Sequence, residues 1–302
     1  MTQSDDNQDN DIQPILRRFD EEFGPRPEEQ PAPVYGEAQP IPQQGYRLSL
    51  PLGRPRAVWV LLAINIAIYA LPRLLDIAGV GLSARVPSKY IPGLDPQDYV
   101  MPSIYIFSVG AKINHAIVAG EYYRLITAMF LHGGLLHIGF NAYALYALGP
   151  EAERIYGTPR FLALYFIAGL AGGVASYAFT PANSVGASGA IFGLIGGLAA
   201  FYYVSRGLLG EVSRQQLGNL ITVIMINLFI GFSSPVIDNT AHIGGLIGGA
   251  AIGWMLAPRF QVDERLYPPQ IVRRGWPLAW PGALGLLALL VLLVSIINPP
   301  IQ

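Results

Sequence analysis

The chain has 302 residues, of which 52% are hydrophobic and only 13% charged, with a formal net charge of −1 and no cysteine. Soluble domains carry roughly 25% charged residues, so this composition, with a mean hydropathy of +0.40, describes an integral membrane protein. The balanced charge excludes a nucleic-acid partner, which needs a clustered cationic excess, and the missing thiols exclude disulfides, thiolate metal sites and a cysteine nucleophile.

Residues 1 to about 55 are rich in Asp, Glu, Gln and Pro and poor in aromatics, too polar to offset the entropy of ordering. A disordered or loosely structured tail is expected there. No apolar core precedes a small-residue cleavage site, and the acidity is opposite to that of a transit peptide, so the first span is expected to remain in the mature protein.

Seven apolar segments follow, near Ala57–Leu71, Leu135–Leu148, Phe161–Phe179, Gly186–Val204, Leu217–Phe232, Ala241–Leu256 and Leu278–Ile297. Several fall short of the roughly 20 residues of a spanning helix, so their edges must extend into flanking sequence. The expected division is the tail at 1–55, a helical core at 56–256 containing a long outer loop at 72–130, and a loop plus final helix at 257–302. Alternate short connections carry Arg154 and Arg160, then Arg206 and Arg214, then Arg259, Arg265, Arg273 and Arg274. The excess of arginine places these connections and the tail in the cytoplasm, and Gln302 outside. Ser188 and His242 then open their helices from the same, outer side.

A reactive group inside a spanning segment is read as a functional site. Ser188 lies in Gly186-Ala187-Ser188-Gly189, and His242 follows Ala241 and precedes Gly244, Gly245, Gly248 and Gly249. A serine hydroxyl needs a base to become nucleophilic, and imidazole suits that task. Gly189, Gly193 and Gly197 recur every four residues, as do Gly245, Gly249 and Gly253, and such stripes let helices approach closely. If the stripes face each other, Ser188 and His242 come within hydrogen-bond reach; packing alone accounts equally well for the stripes. Near a helix N-terminus, the Ser188 N–H can face a developing oxyanion, although serine also caps helices there. His137 and Asn141 stand at i and i+4 and share a face, from which both can donate to an oxyanion or serve as interhelical glue. His132 is expected to make a structural hydrogen bond in its loop, and Asp238, set among Ser233, Ser234, Pro235 and Asn239, to be a solvated turn residue rather than a third catalytic member. The polar run Thr180–Ser184 is compatible with an aqueous cavity leading to Ser188.

Other membrane proteases and hydrolases leave different marks. No H-E-x-x-H helix is present, no pair of aspartates lies within the apolar helices, and the elbow G-x-S-x-G fails at Ala190. No metal or cofactor is called for. A transporter with broken helices would require an inverted repeat, which is not evident.

Over roughly Gly120 to Trp254 the chain resembles the rhomboid intramembrane serine proteases. The resemblance rests on Gly120-Glu121, Tyr123-Arg124-Leu125, Phe130-Leu131-His132, His137, Asn141, Gly149 with Glu153, Gly186-Ala187-Ser188-Gly189, and Ala241-His242 with its glycines. It implies an all-α polytopic fold with a six-helix core and a seventh C-terminal helix. Ser188 would be the nucleophile, His242 its base, and His137, Asn141 and the Ser188 backbone the oxyanion hole. His132, Phe192, Gly186, Gly189, Gly245 and Gly249 would support them. Tyr123 and Phe192 stand where members of the family carry tryptophan and tyrosine, and both keep a ring, so Phe192 can still stack on His242. Inactive relatives lose the serine or the histidine, and this chain keeps both. The expected partners are transmembrane protein substrates and the lipid bilayer, in a membrane of bacterial cytoplasmic type. The competing expectation is a non-proteolytic binder or chaperone on the same scaffold.

Overall fold

A segment that crosses lipid must satisfy its backbone hydrogen bonds internally, and in the computed structural model the apolar stretches are helices. The structure describes residues 52–79, 108–234 and 237–301, with isolated positions at 14, 17–18, 21–22, 24, 50, 84–85, 99–100 and 106. Met1–Tyr46 and Arg47–Gln302 are separate units; the expected disordered tail falls largely outside the described residues, as does much of the expected long outer loop. Among the described residues of the second unit, the seven long helices are α1 (Ala57–Ile77), α2 (Leu135–Tyr156), α3 (Thr158–Phe179), α4 (Ser188–Val204), α5 (Glu211–Phe232), α6 (Asn239–Leu256) and α7 (Ala279–Ile296). Two-residue strands β1 (Ala84–Arg85) and β2 (Tyr99–Val100) pair antiparallel, and β3 (Arg259–Asp263) and β4 (Gln270–Arg274) form a hairpin between α6 and α7.

By length and composition α1, α3, α5 and α7 can each cross a membrane, and α2 with the short helical segment Arg124–Phe130, bent by 91° at the break, makes a fifth candidate span. The observed helices outrun the apolar segments at several edges. α1 passes through Pro72 to Ile77, into the stretch expected to be loop, and α2 passes through Gly149 and Pro150 to Tyr156. The second extension has a packing cause. A Cβ at Gly149 would lie 2.3 Å from a Val58 methyl, so the glycine is where α1 touches α2. One turn further, the fully buried Glu153 carboxylate accepts 2.9 Å bonds from the N–H groups of Ala57 and Val58. It thus satisfies orphan amides at the positive N-terminus of α1.

At the centre α3, α4 and α6 pack against one another in a mutually contacting trio. A Cβ at Gly245 would stand 2.0 Å from the Gly189 carbonyl oxygen, one at Gly249 2.1 Å from that of Gly193, and one at Gly253 2.5 Å from the Gly197 Cα. The two stripes therefore meet backbone to backbone. On its other side, α6 places Gly244 where a Cβ would approach the Ala171 carbonyl to 2.9 Å. At the end of the stack remote from Ser188, the buried Tyr156 hydroxyl lies 2.7 Å from the Gly197 carbonyl and 3.1 Å from that of Gly253, tying α2 to both α4 and α6. α5 stands at the periphery, with only Ser213, Leu220 and Gly231 buried; its exposed Ile221, Met225 and Phe229 face the solvent of a membrane protein, which is lipid.

The segment before α2 is organised by two buried cations. Arg124, fully buried, pairs with Glu121 at 2.7 Å and donates 2.9 Å bonds to the carbonyls of Ser108 and Ala111. Lys112 Nζ donates to the carbonyls of Thr180 (2.7 Å) and Ala182 (2.8 Å), closing the C-terminus of α3, where cations are favoured. Its backbone also bridges to Ser184. Thr180–Ser184, expected to border an aqueous cavity, is a strap leading into α4 that is hydrogen-bonded at Thr180, Ala182 and Ser184 and exposed at Pro181–Asn183.

Two outcomes test these contacts. In Gly249→Ala the new methyl meets the Gly193 backbone, so stability in a denaturant titration in mixed micelles should fall by about 1–3 kcal/mol. Gly218→Ala, which meets open space in mid-helix, should be neutral or gain up to about 1 kcal/mol; equal effects would mean that the stripe contact is not limiting. Burial pushes the Lys112 ammonium down from its ordinary 10.5 to about 8, against the pull of the Asp238 carboxylate. Between about pH 8 and 10.5 the unfolded chain keeps a proton that the folded chain has released, so stability rises with pH across that window. Lys112→Met should flatten that slope, read by tryptophan fluorescence; an unchanged slope would show that the proton belongs to another group.

Candidate active site

Ser188 is the first residue of α4, and the residue preceding the helix is Ala187, with no side-chain cap. Serine in the cap position would turn its hydroxyl back onto the helix amides; here it does not, and the first amides of α4 keep no intrahelical acceptor. Ile191 N–H donates to the Ala187 carbonyl at 3.0 Å, so the free donors are those before it.

Gly186 shapes the approach to the serine. Its φ of +130° lies in a region that side chains rarely tolerate, and its N–H is pinned to the Ala128 carbonyl at 2.8 Å. A Cβ at this position would be 2.7 Å from His137 Nε2 and 3.8 Å from the Ser188 Oγ. The missing side chain is therefore the space in which the imidazole of α2 and the hydroxyl of α4 face one another. His137 Nδ1 accepts from the Gly133 N–H at 3.4 Å, which leaves Nε2 to carry the ring proton on the side of Ser188. Asn141, one turn along α2 and buried, donates one amide hydrogen to the His137 carbonyl at 3.0 Å and keeps a second.

His242, in the first turn of α6, is buried, and its ring stacks on Phe192 with centroids 4.3 Å apart and planes 10° apart. Phe192 lies one turn after Ser188, so hydroxyl and imidazole belong to adjoining faces of α4 and α6. Gly189 and Gly245 permit this: the Cβ that Gly245 lacks would occupy the Gly189 carbonyl. His242 Nδ1 has no hydrogen-bond partner among the described residues.

Asp238 corrects the sequence reading and is no solvated turn residue. Its carboxylate caps α6 through the Ala241 N–H (3.0 Å), accepts from Thr240 (2.7 Å), and is bonded to Ser176 of α3. Thr180, at the C-terminal end of α3, joins the same cluster at 3.4 Å. The turn composition hid this because Ser176 and Thr180 stand about sixty residues earlier in the chain. Asp238 thus fixes the end of α6 that carries His242 without bonding the imidazole. The buried His132 ring lies against the Phe130 backbone of its own loop and edge-on to His137 at 5.1 Å. Its signal in the sequence was proximity to His137; the edge contact required the 91° bend before α2.

No group of three or more His, Asp or Glu that could hold a metal occurs among the described residues. The arrangement gathers a half-exposed hydroxyl, two imidazoles and the first N–H donors of α4 at one end of the helical stack.

Residues 119–259 match the model of the Rhomboid domain. The rhomboid protease GluP of Bacillus subtilis is 45% identical over 159 residues, covering 51% of this chain and 31% of GluP. YdcA, from the same organism, is 33% identical over 156 residues and matched over 75% of its length. RHOMBOID-like protein 5 of Arabidopsis thaliana is 37% identical over 167 residues, 53% of each chain. The match thus spans about half or less of the length of GluP and the plant relative.

Proposed function

The chain belongs to the rhomboid family, and from that premise we propose that it is an intramembrane serine protease that hydrolyses peptide bonds in or beside the transmembrane segments of other membrane proteins. The observation that carries the proposal is the stacking of His242 on Phe192, one turn from Ser188, opposite the His137 nitrogen in the gap left by Gly186.

In this reading Ser188 Oγ attacks the scissile carbonyl carbon while its proton passes to His242 Nε2, and the carbonyl electron pair moves onto oxygen. The oxyanion accepts hydrogen bonds from the Ser188 N–H, His137 Nε2 and Asn141 Nδ2. Collapse of the tetrahedral species expels the amine, which takes the proton from His242. Water, deprotonated by the same imidazole, then releases the acyl group from Ser188. The unpartnered Nδ1 of His242 favours a dyad. Phe192 orients the ring, His132 buttresses His137, and Gly186, Gly189, Gly245 and Gly249 supply the close approach.

A spanning substrate has its carbonyls bonded within its own helix, so cleavage requires local unwinding, and helix-weakening residues near the scissile bond are preferred. The arginine bias supports a reading with Ser188 on the outer side of a bacterial-type cytoplasmic membrane, the tail in the cytoplasm and the end of α7 outside. No cofactor takes part.

A fluorophosphonate should label the purified protein at Ser188, and Ser188→Ala or His242→Ala should abolish both labelling and cleavage of a single-span substrate in proteoliposomes. Labelling that persists in Ser188→Ala would end the assignment, and substrate capture without cleavage by wild type or dyad variants would favour a binder. Asn141→Ala should lower kcat about 10²-fold with little change in KM. Gly186→Ala should do at least as much, because its methyl displaces His137; full turnover in either would remove His137 and Asn141 from the oxyanion hole.

A further inference from the structure

At the end of the bundle remote from Ser188, the chain leaves α6 and returns to α7 through the β3–β4 hairpin. Its register sets Arg259 directly opposite Arg274 and Phe260 opposite Arg273. The two pairs lie on opposite faces. On one, Phe260 is buried and Arg273 donates to the Tyr156 carbonyl at the end of α2, so both side chains are accounted for. On the other, two guanidinium side chains stand side by side, with Cβ atoms about 5 Å apart, an arrangement that is destabilising unless a counter-charge is present. Arg160 lies on the Arg273 side of the linker, its Nη2 3.8 Å from where a Gly275 Cβ would be, so it does not join the Arg259–Arg274 pair. Among the described residues the ion pairs are Arg124–Glu121 and Arg214–Glu211, and none involves Arg160, Arg259 or Arg274. The acids of the hairpin, Asp263 and Glu264, are at its far end, and Asp263 accepts from the Arg265 N–H.

The surroundings specify what could supply the missing charge. The Arg259 guanidinium lies 5.8 Å from the Trp254 ring and 5.6 Å from that of Trp276, and the two rings meet edge to face at 5.2 Å. A guanidinium beside aromatic rings can still offer its N–H edge to phosphate oxygens. Trp254 ends α6 and Trp280 begins α7, each 44% exposed, as expected of rings at the level of lipid headgroups. Below them runs the exposed apolar flank of α7, with Leu284 63% and Val291 60% exposed.

We propose that Arg259 and Arg274, framed by Trp254, Trp276 and Trp280, bind the phosphate of an anionic phospholipid whose acyl chains lie along α7. A zwitterionic headgroup would bring a further positive charge to two arginines that have no ion pair among the described residues. A free phosphate would leave the aromatic frame and apolar flank uncovered. The site is separate from Ser188 and does not depend on the proposed proteolysis.

The test uses the full chain in phosphatidylcholine vesicles doped with brominated phosphatidylglycerol or brominated phosphatidylcholine, with quenching of tryptophan fluorescence as the readout. At roughly a factor of five per arginine, the anionic lipid should be preferred about ten-fold or more. Arg259→Gln/Arg274→Gln should bring the preference close to one, while Arg259→Lys/Arg274→Lys should keep most of it. If the double glutamine variant does not fold, Arg274→Gln alone, at an exposed position, should still lower the preference several-fold. Equal quenching by the two lipids in the wild type, or an unchanged preference in the glutamine variants, would overturn the proposal. Full competition by millimolar glycerol phosphate would overturn the lipid in favour of a soluble ligand.

Discussion

The structure depends on backbone contact between α4 and α6. Lipid is as apolar as leucine, so helices in a membrane gain little from burying large side chains against one another and associate through close packing instead. Here the missing side chains of Gly189, Gly193 and Gly197 receive α6, and those of Gly245, Gly249 and Gly253 receive α4. A contact of that closeness sets the rotation and height of both helices, since sliding either one drives a carbonyl into a Cα. The hydroxyl on the first residue of α4 and the imidazole in the first turn of α6 inherit their relation from it, and the Phe192–His242 stack is its visible product.

Around this stack, polar side chains hold the parts that apolar packing leaves loose. Glu153 receives the start of α1, Tyr156 joins α2 to α4 and α6, Arg124 gathers the carbonyls of the segment before α2, and Lys112 closes α3. Asp238 then ties the start of α6 to the end of α3. Buried charges are tolerated only when paired and hydrogen-bonded, and each of these has its acceptors or donors. Arg259 and Arg274 have no ion pair among the described residues and lie at an aromatic-rich helix end, which is why an anionic lipid is the partner inferred there.

Much of this was legible from one dimension. The seven apolar runs became the seven long helices, because hydropathy over a helix length is local information. Their edges shifted where a distant residue intervened: α2 runs beyond Leu148 because Gly149 receives Val58 and Glu153 holds the amides of α1. His137 and Asn141 were recognisable as one face from their spacing alone.

What the sequence by itself determined is the class of protein, the helical segments and the residue types able to do chemistry in a membrane, all properties of short windows of chain. Tertiary structure alone decided which polar groups are used up and which are left over. Asp238 looked solvated and is bonded to Ser176 and Thr180, while Lys112, which carried no signal in the sequence, takes the carbonyls of Thr180 and Ala182. The physical reason is that a hydrogen bond is a relation between two groups, and here the partners lie about sixty to one hundred residues apart, so neither local composition nor spacing could name them.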